Sequence, residues 1–204
     1  MRNSFRVAML AVAVVFAPTA AFADGPFGLT MGMTKTEIEK TIGAELTVVS
    51  EQPLLFSTTT VPRGNSSFEA YALQILPKAG LCQIRAVGKD IATSSHGLQL
   101  KAKFQETLAL IEDVYGAPEK TDRLLAGSIW NEPEDWMTGM LKKERFLMAV
   151  WSAKSESTFK NEVTEVALAA RAKARGSGYL FLQYEFSNAA QCDDERKEGE
   201  RSAF

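Results

Sequence analysis

"LTMGMTKTEIEKTIG", Leu29 to Gly43, is the stretch from which the rest of the chain can be read. Threonine, lysine and glutamate crowd together there between glycines, so it is either a chemical site or a folding element. Capping chemistry accounts for it. Thr34 fits a helix N-cap, its hydroxyl accepting an orphan backbone N–H, and Glu37 three residues on completes a capping box. Met33 before the cap and Ile38 at the fourth helical position fit a hydrophobic staple. Ile38 and Ile42 lie one turn apart, and Gly43 stands where a left-handed residue stops a helix. Ahead of the cap, Phe27, Leu29, Met31 and Met33 alternate with Gly28, Thr30 and Gly32, the period of a short strand or extended arm. The expectation is a short strand or extended arm, then a capped helix, with no catalytic task for Thr34 or Glu37.

Beyond Gly43 the texture turns to β. "ELTVVSE" and "LLFSTTTVP" are rich in β-branched residues and are divided by Gln52 and Pro53. Tyr71, Leu73 and Ile75 alternate in a strand that stops at Pro77. Cys82, Ile84 and Ala86 mark one face of the next strand, ending near Ile91. The period then changes: Phe104, Leu108, Ile111 and Tyr115 are spaced as one helical stripe within Leu98 to Tyr115, closed by Gly116 and Pro118. "NEPEDWMTGMLKKE" predicts a third helix, with Asn131 as cap, Glu134 completing a box and Pro133 in the first turn. Three strands follow at "RFLMAVWS", "VTEVALAARAK" and "GYLFLQYEF". Alanine favours helix in the second of these, but strand signals flank it on both sides.

Upstream, residues 1–23 have the order of a secretory signal peptide. Arg2 and Arg6 give a basic start, Val7 to Ala17 an apolar run, and Ala21-Phe22-Ala23 a small-x-small cleavage pattern, with Asp24 first in the mature chain. The run is short for a bilayer span, which needs ~20 residues, and no cysteine follows it to carry a lipid. A periplasmic or secreted product without stable membrane insertion is expected. The 23 basic side chains fall to 21 when Arg2 and Arg6 leave, against 25 acidic ones; such a chain has no electrostatic footprint for nucleic acid. Cys82 and Cys192 are an even pair, which in an oxidising compartment favours a disulfide. Two separate thiols or a metal pair are the alternatives. One histidine, His96, and no local ligand spacing make a metal the poorer choice. No cofactor motif is present.

The two halves follow the same order of events: a helix ending in glycine, a connector, an aromatic-led strand ("FEAYALQIL", "RFLMAVWSA") and a partner strand. That order predicts an α+β fold of antiparallel sheet and short helices. The domain spans residues 24–192, as one unit or as two, 24–96 and 97–192, before a charged, disordered tail at 193–204. The start "MGMTKTEIEKTIG" and the later "YGAPEKTD" resemble the signature of the β-lactamase-inhibitor-protein-like fold, a group that includes a small outer-membrane lipoprotein assisting barrel assembly. The resemblance implies a protein-binding module without catalysis.

Chemistry visible in the sequence is sparse. No Gly-rich phosphate loop, G-x-S-x-G elbow or H-E-x-x-H occurs. His96 beside Ser94 and Ser95 fits a surface turn. Glu132, Glu134 and Asp135 cluster near Trp130 and Trp136, as carboxylates beside aromatics do in sugar-cleaving sites, although acids also suit a helix N-terminus. Trp130, Trp136, Met137 and Met140 are of the types enriched at protein interfaces, although an amphipathic helix would bury the same set. Two functions follow: a periplasmic module binding or inhibiting an envelope protein through this segment or a sheet face, or a carboxylate-dependent hydrolase of envelope glycans.

Overall fold

The computed structural model describes residues 25–51 and 54–201. The expected leader and cleavage point after Ala23, and the Gln52–Pro53 break, lie outside them. Among the described residues four α-helices and nine strands follow in chain order: α1 (Lys35–Ile42), β1 (Thr47–Glu51), β2 (Leu54–Thr58), β3 (Phe68–Leu76), β4 (Gly80–Gly88), β5 (Ile91–Ala92), α2 (Leu98–Tyr115), β6 (Glu119–Leu124), α3 (Trp136–Leu141), β7 (Arg145–Trp151), β8 (Val163–Ala174), β9 (Ser177–Phe186) and α4 (Ala189–Arg201). The strands form one antiparallel sheet in the order β1-β2-β3-β4-β9-β8-β7-β6, with short β5 paired to β9. This is an α+β fold. Helix and four strands recur in each half, and β4 meets β9 where the halves join.

The opening helix forms as its residues dictate. Thr34 Oγ1 accepts from the Glu37 N–H at 3.3 Å, and Glu37 Oε2 accepts from the Thr34 N–H at 2.8 Å. Gly43 ends the helix at φ 67° and donates to the Glu39 carbonyl. Ile38 is fully buried. The segment ahead of the cap is not a strand: Pro26–Gly28 is a 3-10 turn, with Gly28 and Gly32 both at positive φ. The glycines there serve turns, and the arm is held by single bonds to β4, Gly32 N–H to Leu81 and Leu81 N–H to Met33.

α2 lays Leu100, Phe104, Leu108, Ile111 and Tyr115 into the core against Leu168, Leu180, Leu182 and Tyr184. Each fully buried Leu or Phe there is stabilising by roughly 1.5–3 kcal/mol relative to exposure. The third helix begins later than its pattern suggests. Pro133–Asp135 is a 3-10 turn, Asn131 does not cap, and the α-helix has six residues. Gly97, at φ +69°, lets α2 start against α3, because a Cβ there would fall 2.2 Å from the Trp136 ring.

Cys82 and Cys192 stand at disulfide distance, with Cα atoms 6.5 Å apart across 110 positions. They form a small cluster with Leu76, separate from the main core. The charged C-terminal segment is not a loose tail, since helix continues through Arg201. Glu195 accepts the backbone N–H groups of Lys78 and Ala79, at 2.9 and 3.0 Å, and Arg196 pairs with Glu200 one turn on. Polar on every side, the helix is fixed by these distant contacts and by Cys192, its one buried residue.

Candidate functional site: the uncovered sheet face

The two faces of the sheet differ in what covers them. In β9, Leu180, Leu182, Tyr184 and Phe186 are buried in the helix-side core, while Tyr179, Phe181, Gln183 and Glu185 alternate with them and are half-buried. Directly opposed residues of antiparallel strands share a face. Register therefore sets Arg85 and Ala167 on either side of Gln183, and Val87 and Ala169 on either side of Phe181. Further out, Met148 opposes Ala169 and Val150 opposes Ala167. Toward the other edge Ala72 opposes Arg85 and Ala70 opposes Val87. The Arg171 guanidinium lies 6.0 Å from the Phe181 ring centroid.

Alanines thus keep the relief low between Phe181, Met148, Val150 and Val87, with arginines among them. α4 borders this face at the end near Cys82, and the C-terminal end of α3 shares a cavity with Met148, Ala169 and Arg171. From β2 to β6 there are six gaps of ~4.8 Å, so the face is roughly 29 Å across. Along the ten residues of β9 it is roughly 33 Å long.

One corner is polar. Gln74, Gln83, Arg85 and Glu185 meet Asp193 and the Cys82–Cys192 pair around a cavity of about 360 Å³. Glu185 opposes Glu165 across the strands. Burial pushes the Glu185 carboxyl above its ordinary range, the charges of Glu165 and Asp193 push it further, and a hydrogen bond from Gln83 opposes them. Burial pushes the Arg85 guanidinium down. The Gln83 Oε1 is buried and has no partner.

The residues singled out by sequence fall elsewhere. Trp136, Met137 and Met140 are 3%, 0% and 8% exposed and belong to the core. They therefore have almost no surface to present. Trp130 is half-buried beside Gly139. Glu132 and Glu134 are exposed on the turn before α3, and the cavities of about 400, 470 and 360 Å³ have neither of them, nor Asp135, in their walls. His96 is exposed, its Nδ1 3.4 Å from Ser95 Oγ. Among the described residues no group of His, Cys, Asp and Glu could hold a metal ion, and no helix is long and apolar enough to cross a membrane.

The uncovered face had a signal in the sequence. "FLMAVW" is apolar at consecutive positions, as strands with two apolar faces are, whereas a strand with one wet face alternates. Comparison of the chain with protein families, characterised proteins and solved structures finds no match.

Proposed function

We propose that this protein is exported and binds a protein partner of the cell envelope, without catalysis, through the uncovered sheet face. The observation that carries the reading is the face itself: Tyr179, Phe181, Met148 and Arg171 are half-buried or exposed on the side of the strands away from the α2 core. Aromatic residues, methionine and arginine are the types enriched where proteins meet. A standard interface takes ~800 Å² from each partner, and a face of these dimensions can supply it. Export is supported by the leader pattern and by the cysteine pair at disulfide distance. The resemblance to the β-lactamase-inhibitor-protein-like fold points the same way.

The test is capture of envelope proteins on the immobilised mature chain, compared with its Phe181→Lys variant. Truncating or charging an interface anchor costs at least ~2 kcal/mol of affinity, a factor of ~30. A specific partner retained by the parent and lost by a variant with the same unfolding midpoint supports the reading. A partner held equally by both contradicts it.

A second reading, a glycan hydrolase, gains one observation. The carboxylates brought face to face are Glu165 and Glu185, one of them pushed upward, and not the acids near Trp136. Its test is loss of a glycan-cleaving activity in Glu185→Gln.

A further inference from the structure

We propose that the cleft between β7 and β8 binds a small amphipathic anion, an apolar body ending in a carboxylate. β7 and β8 do not pair along their whole length. Their pairs run from Trp151↔Val166 to Met148↔Ala169 and stop, although β7 begins at Arg145 and β8 continues to Ala174. Over the same span β7 stays paired with β6, down to Leu124↔Arg145, and β8 with β9, out to Ala174↔Ser177. The sheet therefore splits, and a cavity of about 400 Å³ occupies the split. That is within the ~300–1,000 Å³ of small-molecule sites.

The wall is apolar through Met140, Phe146, Leu147, Met148 and Ala170, with cations at Lys143, Arg145 and Arg171 and no carboxylate. Two details point to an anion. The Arg145 Nη1 holds Asp122 at 3.1 Å, but its Nε–H is buried and has no acceptor. A buried donor left unpaired is unfavourable, and a carboxylate accepts readily from a guanidinium. Lys143 has φ 59°, in the left-handed region, at the C-terminal stop of α3, and its N–H donates to Met140. Glycine takes that position without strain. A lysine there has a conformational cost and adds a charge to the mouth of the cavity. Apolar walls would take the body of the ligand and the three cations its head.

Calorimetric titration of the full protein with octanoate tests this, with octan-1-ol as the same chain without charge and acetate as the same head without chain. The site predicts that octanoate binds at least about tenfold more tightly than either control. Lys143→Gly relieves the backbone and removes one cation, so it should keep or raise the thermal midpoint of the free protein while weakening octanoate severalfold. Arg171→Gln, on an exposed side chain, and Arg145→Gln should weaken it as well. No binding of octanoate, equal binding of octan-1-ol, or unchanged affinity in the Lys143→Gly/Arg171→Gln double variant overturns the proposal. So does binding of a short-chain anionic phospholipid with none of octanoate, which would assign the cavity to a lipid headgroup.

Discussion

Trp136→Ala separates a tryptophan that holds the core from one that meets a partner. The side chain is 3% exposed. Its ring fills the space above Gly97, and the Lys101 ammonium sits 4.3 Å from a ring centroid. Truncating a buried tryptophan costs ~3–5 kcal/mol of stability, a large part of the ~5–15 kcal/mol available to a domain. With a urea slope of ~2 kcal/mol per molar, the midpoint should fall by roughly 1.5–2.5 M. Trp136→Phe should behave differently. The indole N–H is buried and has no hydrogen-bond partner, and such a donor costs ~1–3 kcal/mol. Phenylalanine gives up some packing but removes that donor, so its net loss should be about 1 kcal/mol or less. Urea unfolding followed by far-ultraviolet circular dichroism measures both without depending on tryptophan fluorescence. An alanine variant within ~1 kcal/mol of the parent, or a phenylalanine variant as damaged as alanine, refutes the core assignment.

Thr34→Ala should cost ~1 kcal/mol through loss of the capping box, with Thr34→Ser close to the parent; an unchanged unfolding midpoint in the alanine variant counts against capping. Glu185→Gln should stabilise at neutral pH, because the folded carboxyl is pushed up. Its contribution is full below its ordinary pKa of ~4.3 and is lost as pH rises through the folded value. The gain over the parent should therefore vanish on acidification, and a gain that persists at low pH would contradict the assignment. Cys82→Ala with Cys192→Ala opens a loop of 110 positions, worth about 4.8 kcal/mol in the chain-entropy account. Trypsin should then cut early at Arg196 and Lys197 in α4. An unchanged midpoint with an unchanged cleavage rate would show the pair to be idle.

What was legible in the sequence was what local chemistry determines. The α1 cap, staple residues and glycine stop all lie within eleven residues, so pattern and structure coincide. The α2 stripe was equally plain because one face is dry. β8 is alanine-rich yet a strand, since pairing on both sides outweighs intrinsic propensity. β6, "EKTDRL", gave no strand signal because it is an edge whose charges face water. α4 gave no helix signal because its anchors, Lys78, Ala79 and Cys82, are more than a hundred residues away. The Trp136 segment misled for a different reason. A tryptophan-methionine cluster has the same spelling whether a partner or the protein's own sheet covers it, and here residues 136–140 are all buried.

The uncovered face follows from the way the halves are joined. The short β5 aside, their last strands, β4 and β9, pair antiparallel, and the strand order reads outward from that seam as 4-3-2-1 on one side and 9-8-7-6 on the other. Exchanging two antiparallel neighbours requires a twofold axis normal to the sheet, and such an axis never turns the sheet over. A helix covering one side of the first half therefore has its counterpart on the same side of the second. The cores of both halves fuse there, as the shared cluster of Ile38, Leu73, Leu108 and Leu182 shows. Among the described helices, α1, α2 and α3 all bury their apolar residues in that cluster and leave the opposite side to other cover. It can be dry only where something else supplies the cover, and α4 does so at one end alone, around Leu76 and Cys82. Arg85 and Val87 come to the seam from the first half, and Gln183 and Phe181 from the second. A contact centred on that face must draw on both halves at once.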